Sequence, residues 1–349
     1  MITPITHVVA ILAMLPIAHF LPRVGRLVLM SGAGAVLLLW VAPASAWFIL
    51  LTCLEALLVE ALLRRLPKTS LKRQYLPYLL LVNMFYTDIV NGFELDLATL
   101  SVAFSVIRIF MTTKQLLSSA TTTFAGRVVS IAVGGFFLPA LVVGPVFSGT
   151  TLWAQARPEG DQPEGTTEWM YRKMFFGWLL AALVAPGFAQ WAGGDGLARG
   201  TAPLVLIALF FNLFASFWGQ SLVAEAGSSL VGFTVPVNFN RPWLATDIRD
   251  FWNRWHTSMA RFVMQYIFLP LNLRGMKPKI ATVAAFVFMG LWHEVRVGYV
   301  IWGLAHGVFM AYGPQITPES GRVARGVSRV GTLALVIILS YVANYAFKN

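Results

Sequence analysis

The chain has 349 residues, of which 57% are hydrophobic and only 12% charged, with a net charge of +11. Soluble domains carry about 25% charged residues, so a water-soluble globule is excluded. The apolar runs are continuous rather than alternating, which excludes a membrane barrel and leaves spanning helices, whose backbone groups are satisfied within each segment.

Apolar segments near the length of about 20 residues needed to cross a bilayer fall at 5–22, 27–45, 46–63, 76–92, 97–111, 128–147, 174–192, 201–218, 280–293, 299–313 and 330–347. Residues 219–236 read as a weak further span or a broken helix. The expectation is an all-α polytopic protein with ten to twelve transmembrane helices plus re-entrant or interfacial helices, forming one membrane domain over 1–349. The pairs 27–45/46–63 and 280–293/299–313 admit other divisions. Residues 1–20 lack an early basic region and a small-residue cleavage site, so they read as a span rather than a removed signal. The single cysteine, Cys53, excludes an intramolecular disulfide and a thiolate metal cluster; within an apolar run it reads as a small core residue. Gly134-Gly135, Gly144-Pro145 and Gly149 read as kinks and close helix packing.

Orientation follows the basic loops, which are cytoplasmic in helical membrane proteins. They account for the basic excess without a nucleic-acid partner. Arg23/Arg26, Arg64/Arg65/Lys68/Lys72/Arg73, Lys114/Arg127, Arg274/Lys277/Lys279 and Arg322/Arg325/Arg329 form the clusters. Threading the spans through them puts both termini outside and requires 219–236 to cross. It sets Arg241–Arg261 near the cytoplasmic face and His293 toward the outer end of its span, and it leaves Arg172 and Lys173 outside, against the rule. Ser258–Leu273 is apolar but leaves and returns between basic loops, so it reads as an interfacial or re-entrant helix. That places Asn238–His256 at the floor of a cavity.

The segment 236–256 gathers Asn238, Asn240, Arg241, Trp243, Asp247, Arg249, Asp250, Trp252, Asn253, Arg254, Trp255 and His256 in an otherwise apolar chain. Ionisable groups in such surroundings are costly and signal function. Arginine forks bind phosphates and tryptophans pack flat apolar groups; alternatively, Arg249 and Arg254 pair with Asp247 and Asp250 and pin a loop to the headgroups. His293, between Trp292 and Glu294, and His306 complete a set holding three of the chain's five histidines. A desolvated, neutral histidine can take a proton from a hydroxyl nucleophile, or it can simply bridge helices. No His pair at i, i+4 with a carboxylate completes a metal site, so none is expected. Phosphate-cradling Gly-rich loops with Lys-Ser/Thr are absent.

The run Val237–Leu271, with its Asn-Phe-Asn-Arg-Pro-Trp and Asp-Phe-Trp-Asn-Arg-Trp-His elements, is followed by Gly290-Leu-Trp-His293 and Tyr299-Val-Ile-Trp-Gly-Leu-Ala-His-Gly307. Together they closely resemble the membrane-bound O-acyltransferase (MBOAT) family, in the bacterial branch of alginate O-acetylase and the teichoic-acid D-alanylation protein. The resemblance is strong over 236–307 and fainter at Phe136–Pro145 and Ser101–Arg108. It implies a multi-helix fold around a central tunnel, with His293 as the catalytic base. His256 takes a second motif position that carries His or Asn in different members. Asn253 and Arg254 fall in the cytoplasmic floor, Trp252, Asn240, Arg241 and Trp292 join them in holding the donor, and His306 braces the site. Glu294 stands where this branch often has Gly, and Ser216-Phe-Trp-Gly219 replaces a Tyr-Ser-Asp element; both departures bear on the acceptor.

The implied reaction is acyl transfer from acyl-CoA or an acyl carrier protein on the cytoplasmic side, with the thioester as co-substrate and no cofactor. The acceptor is a hydroxyl of an exported polysaccharide, an envelope polymer, a lipid or a secreted metabolite, served by accessory export proteins, at the bacterial inner membrane. A transporter or channel is the alternative from another class, but transporters show duplicated halves and no internal repeat is visible. A catalytically silent scaffold of the same fold is the third reading.

Overall fold

The computed structural model describes residues 3–85, 97–118, 123–157, 163–193, 202–317 and 320–346. All regular structure among them is helical: α1 Pro4–His19, α2 Arg23–Val41, α3 Pro43–Leu63, α4 Leu71–Tyr75, α5 Leu97–Ser118, α6 Phe124–Phe136, α7 Gly149–Gln155, α8 Thr167–Leu179, α9 Ala185–Gly193, α10 Ala202–Leu230, α11 Ile248–Trp252, α12 Thr257–Val263, α13 Leu269–Leu273, α14 Pro278–His293, α15 Val297–Tyr312 and α16 Arg322–Tyr341, with short 3-10 and π turns. By length and composition, five described helices can cross a membrane: Arg23–Val41, Pro43–Leu63, Thr167–Gly193, Pro203–Leu230 and Arg322–Tyr345. The chain forms two compact units, one of 1–182 with 219–236 and one of 183–218 with 237–349.

In the first unit, local chemistry sets the helix ends. Thr3 and Thr6 form a capping box ahead of α1. The break between α2 and α3 falls at Ala42, earlier than the hydropathy division at 45/46. Pro43 sits at the start of α3, where its missing N–H costs nothing. Leu76–Phe85 is a 3-10 helix; the rest of the expected span 76–92 lies outside the described residues.

Residues 128–147 do not form one span. Helix α6 ends at Phe136, a buried irregular stretch follows, and α7 turns back along α6. A Cβ on Gly149 would collide with the Ser130 carbonyl, and one on Gly126 would lie 2.8–2.9 Å from the Trp153 ring. Glycine at both ends of the hairpin is what lets its arms touch. Irregular backbone at membrane depth survives only when protein satisfies it, and α5 and α1 do so here. Ser105 Oγ donates to Gly135 O at 2.8 Å, Arg108 to Ala140 O and His7 Nε2 to Leu138 O at 2.7 Å. Thr112 Oγ1 accepts from Gly149 N at 2.8 Å. His7 is thus a structural histidine. Cys53 is buried, with Sγ 3.8 Å from Ile131 O, a core position as the sequence reads.

The expectation of a separate crossing at 219–236 is corrected. Helix α10 runs unbroken for 29 residues to Leu230, about 43 Å at 1.5 Å per residue. That length serves one crossing, not two.

In the second unit, 257–273 is helical throughout, with a π turn at Met264–Phe268. Pro270 follows that turn; a proline clashes with the carbonyl four residues back, and the wider π turn relieves it. Helices α14 and α15 form a tight antiparallel pair divided at 293/297. Their contact is made of glycines. A Cβ on Gly303 would lie 2.6 Å from Phe286 O, one on Gly307 2.7 Å from Val283 Cα, and one on Gly290 would collide with Tyr299 O. Gly303 and Gly307 are four residues apart, so one stripe of α15 lies against the α14 backbone.

Candidate active site

The polar stretch 236–256 closes as a clasp within the second unit. Asn240 N donates to Arg254 O at 2.9 Å, and Thr257 N to Asn238 O at 3.0 Å. Asp247 caps α11, its Oδ1 accepting from Arg249 N and Asp250 N, both at 2.9 Å. Its Oδ2 accepts from Ile316 N at 3.1 Å. Arg249 Nη1 donates to Gly313 O at 3.3 Å.

Arg241 (φ 48°) and His256 (φ 46°) are the described non-glycine residues in the left-handed region. A β-carbon makes that conformation costly by roughly 1–2 kcal/mol, and such outliers gather at functional sites. The turn at His256 starts α12, with Met259 N and Ala260 N donating to the His256 carbonyl at 3.0 Å. It also seats the imidazole against fully buried Asn238. His256 Nδ1 donates to Asn238 Oδ1 at 3.4 Å, and Ser258 Oγ donates to the same oxygen at 2.6 Å. Because Oδ1 only accepts, the proton rests on Nδ1 and Nε2 keeps its lone pair. Burial holds the His256 imidazole well below the ordinary histidine range, and the charge of His293 pushes the same way.

Tyr299, Trp302 and His306 share one face of α15, while Met289 and His293 share one face of α14. These two faces and the clasp enclose a cavity of about 90 Å³ lined by Trp252, His256, His293, Tyr299, Trp302 and His306, among others. The His293 ring stacks on Tyr299, centroids 5.3 Å apart, and meets Trp302 edge-on at 5.6 Å. Trp292 lies between the first two histidines, 4.5 Å from His293 and 6.2 Å from His256. His306 Nδ1 donates to Trp302 O at 3.0 Å, which leaves its buried Nε2 as an acceptor without a hydrogen-bond partner among the described residues.

Two further cavities adjoin. One of about 390 Å³ shares Trp252 and Met289 with the histidine cavity and is walled by Met264, Met310 and Phe286, with Asn253, Thr257 and Arg261 among its polar lining. The other, of about 170 Å³, shares Leu213, Ser340 and Asn344. Three histidines from separate elements, two of them with defined lone pairs, can therefore take a proton in a largely apolar enclosure.

Not every sequence-selected residue lines these cavities. Arg254 is held by Asp250 at 2.7 Å, as the alternative pairing anticipates, and Asn240 and Arg241 are exposed on the clasp. Sequence reasoning names Asn238 within the polar set but gives it no role, and it missed Tyr299, Trp302 and Asn344 as site residues. The 299/302/306 spacing carries a usable signal for two of them; Asn344, near the end of the last helix, carries none. It accepts from Tyr299 Oη at 2.8 Å. Glu294 is buried and ion-paired with Arg296 at 2.9 Å, and Arg296 donates to Ala343 O at 2.9 Å. Among the described residues, no group of three or more His, Cys, Asp and Glu side chains is placed to hold a metal ion.

Residues 135–320 match MBOAT, the membrane-bound O-acyltransferase family. The chain is 27% identical to a peptidoglycan O-acetyltransferase of Helicobacter pylori over 50% of its own length and 35% of that protein's. It is 28% identical to a teichoic acid D-alanyltransferase of Streptococcus thermophilus, covering 49% of this chain and 46% of the relative. It is 30% identical to a probable alginate O-acetylase of Pseudomonas aeruginosa, covering 57% and 40%. The matched stretch thus spans less than half of each of these relatives. A family match over more than half of this chain, together with its apolar helices, makes it a multi-pass membrane protein belonging to the membrane-bound O-acyltransferase family.

Proposed function

We propose that the chain is an integral-membrane O-acyltransferase, acting as one domain over 1–349, that moves an acyl group from a thioester to a hydroxyl. The observation that carries this reading is the convergence of His256, His293 and His306 on one mostly apolar cavity flanked by two others. His293 takes the proton of the acceptor hydroxyl. The alkoxide oxygen attacks the thioester carbonyl, a new C–O bond forms, and the C–S bond breaks. The departing thiolate then receives the proton from His293. His256, fixed by Asn238, positions the donor carbonyl, and His306 braces the far wall through Trp302. No metal or cofactor is required.

The donor, acyl-CoA or an acyl carrier protein, enters the methionine-walled cavity, where Arg261 and Asn253 meet its polar end and Trp252 its acyl end, while Trp292 packs against His293 outside that lining. With the basic loops cytoplasmic, this is the cytoplasmic mouth of a central tunnel in the bacterial inner membrane. Of ten to twelve crossings, 128–147 is replaced by the hairpin and 219–236 belongs to the crossing of α10. The acceptor is an exported glycan, envelope polymer, lipid or secreted metabolite, handed on by export partners.

The test uses the protein in bilayer nanodiscs with labelled acetyl-CoA and acetyl carrier protein, following label transfer to extracted envelope material. His293→Ala should abolish the transfer in a monodisperse protein. Undiminished transfer in that variant overturns the assignment.

A further inference from the structure

We infer that the acceptor is a neutral, polyhydroxylated molecule, reaching His293 through the 170 Å³ chamber between α10 and the end of the last helix; this deepens the acyltransferase reading and rests on it. The chamber adjoins the histidine cavity at Leu213, Ser340 and Asn344, which line both. Its other polar walls are Asn212 and Ser216 on α10, with Tyr341 and Tyr345 opposite. Amides and hydroxyls both donate and accept, which is the pattern a sugar or polyol presents in return.

Among the described residues, the chamber's lining contains no Asp, Glu, Lys, Arg or His. A carboxylate or phosphate entering it would give up water without meeting an opposite charge, a large cost in an apolar setting. A hydroxylated molecule exchanges hydrogen bonds to water for hydrogen bonds to protein at little net cost. Tyr341 and Tyr345 stand one helical turn apart with rings stacked, centroids 5.6 Å and planes 22° apart. They offer a flat apolar surface for the C–H face of a sugar ring. Asn344 connects this wall to the base: it accepts from Tyr299 Oη at 2.8 Å, and the Tyr299 ring stacks on His293. A hydroxyl held at Asn344 therefore sits in the enclosure that holds the base. The donor-side cavity, by contrast, includes Arg261 in its lining and meets the histidine cavity at other residues, Trp252 and Met289, so charge recognition falls to a different cavity.

The full chain in nanodiscs, given labelled acetyl-CoA, is offered maltotriose or a mannuronate trimer as acceptor probes. Transfer to maltotriose should exceed transfer to the mannuronate trimer by at least about tenfold, as expected of a polar site that cannot pair a charge. Tyr341→Ala should raise the KM for maltotriose about tenfold while kcat stays within about threefold. Equal use of both probes, or an unchanged KM, overturns the inference. An arm independent of turnover uses Ser216→Cys: maltotriose, and not the mannuronate trimer, should slow its labelling by a small maleimide. Equal protection, or none from maltotriose, also overturns it. Undiminished acetyl-CoA turnover in His293→Ala would instead sink the acyltransferase reading itself, a result distinct from a failure of acceptor preference.

Discussion

The glycine seam between α14 and α15 gives a measurable link between packing and catalysis. A methyl added by Gly303→Ala would lie 2.6 Å from Phe286 O and 2.9 Å from Val287 Cα. Both are backbone atoms, so no side-chain rotation relieves the clash. Ordinary van der Waals contact begins at 3.4 Å, so the helices must part by about 0.8 Å, the shortfall at the carbonyl. Overpacking of this kind costs about 1–3 kcal/mol. The catalytic consequence is larger, because Trp302 adjoins Gly303, His306 lies three residues beyond it, and His293 sits on the helix pushed away. A displacement near 1 Å of reacting groups costs about 10²-fold in rate.

The assay is label transfer in nanodiscs alongside thermal unfolding of each purified variant. Gly331→Ala is the control, since a Cβ there meets nothing within 4 Å and alanine favours the helix by up to about 1 kcal/mol. Gly303→Ala should lose about two orders of magnitude in rate with a lowered Tm, while Gly331→Ala keeps parental activity. If Gly303→Ala stays within about threefold of the parent at an unchanged Tm, the seam does not set the site geometry and this reasoning fails.

His293→Ala should lower transfer by about 10²–10⁴-fold, the usual contribution of a general base, and His306→Ala by much less; equal losses would reverse or merge their roles. His256→Asn should retain measurable transfer, because Asn tolerates the left-handed backbone and both donates and accepts. Complete loss of turnover with normal donor binding would mark His256 as the base. A single cysteine at position 172 should react with maleimide only from the cytoplasmic side, together with one at position 68; labelling of the two from opposite faces would refute the sidedness argued from the hairpin.

The all-helical class and the three histidines are legible in the sequence because each has a composition signal: continuous apolar runs for the first, ionisable groups against aromatics for the second. What escaped has a physical reason in each case. Arg254 and Arg241 lie in the same motif as Asn253, yet Asp250 holds Arg254 and Arg241 stays exposed on the clasp. Side-chain partners are tertiary facts that spacing along the chain does not encode. Asn344 joins the site through a hydrogen bond to Tyr299, 45 residues away in sequence. His256 was found by its side chain, whereas its left-handed backbone could not be, since nothing local but a glycine announces a positive φ.

The hairpin at 124–155 and the long helix α10 account together for what hydropathy threads wrongly. With 128–147 as a crossing, Arg172 and Lys173 fall outside and a second crossing at 219–236 must restore the later basic loops to the cytoplasm. The structure replaces both segments. The hairpin returns to the side it left: Gln155 O accepts from Arg23 Nη1 at 2.6 Å, and Arg23 belongs to the first basic cluster. Removing the 128–147 crossing keeps Arg172 and Lys173 with the basic clusters of the first unit, Arg23 to Arg127. Contacts within the first unit point the same way. Lys173 pairs with Glu225, near the end of α10, at 2.6 Å. The Gln155 amide donates to Thr234 O at 2.9 Å and accepts from Thr234 N at 2.8 Å, just beyond that end. Glu60 pairs with both Arg64 and Arg127, tying two more clusters. A re-entrant hairpin and a span have the same hydropathy, so composition could not separate them. The distinguishing marks were the touching glycines and the polar side chains of α5. Ser105, Arg108 and Thr112 satisfy backbone groups that a continuous helix would have satisfied alone.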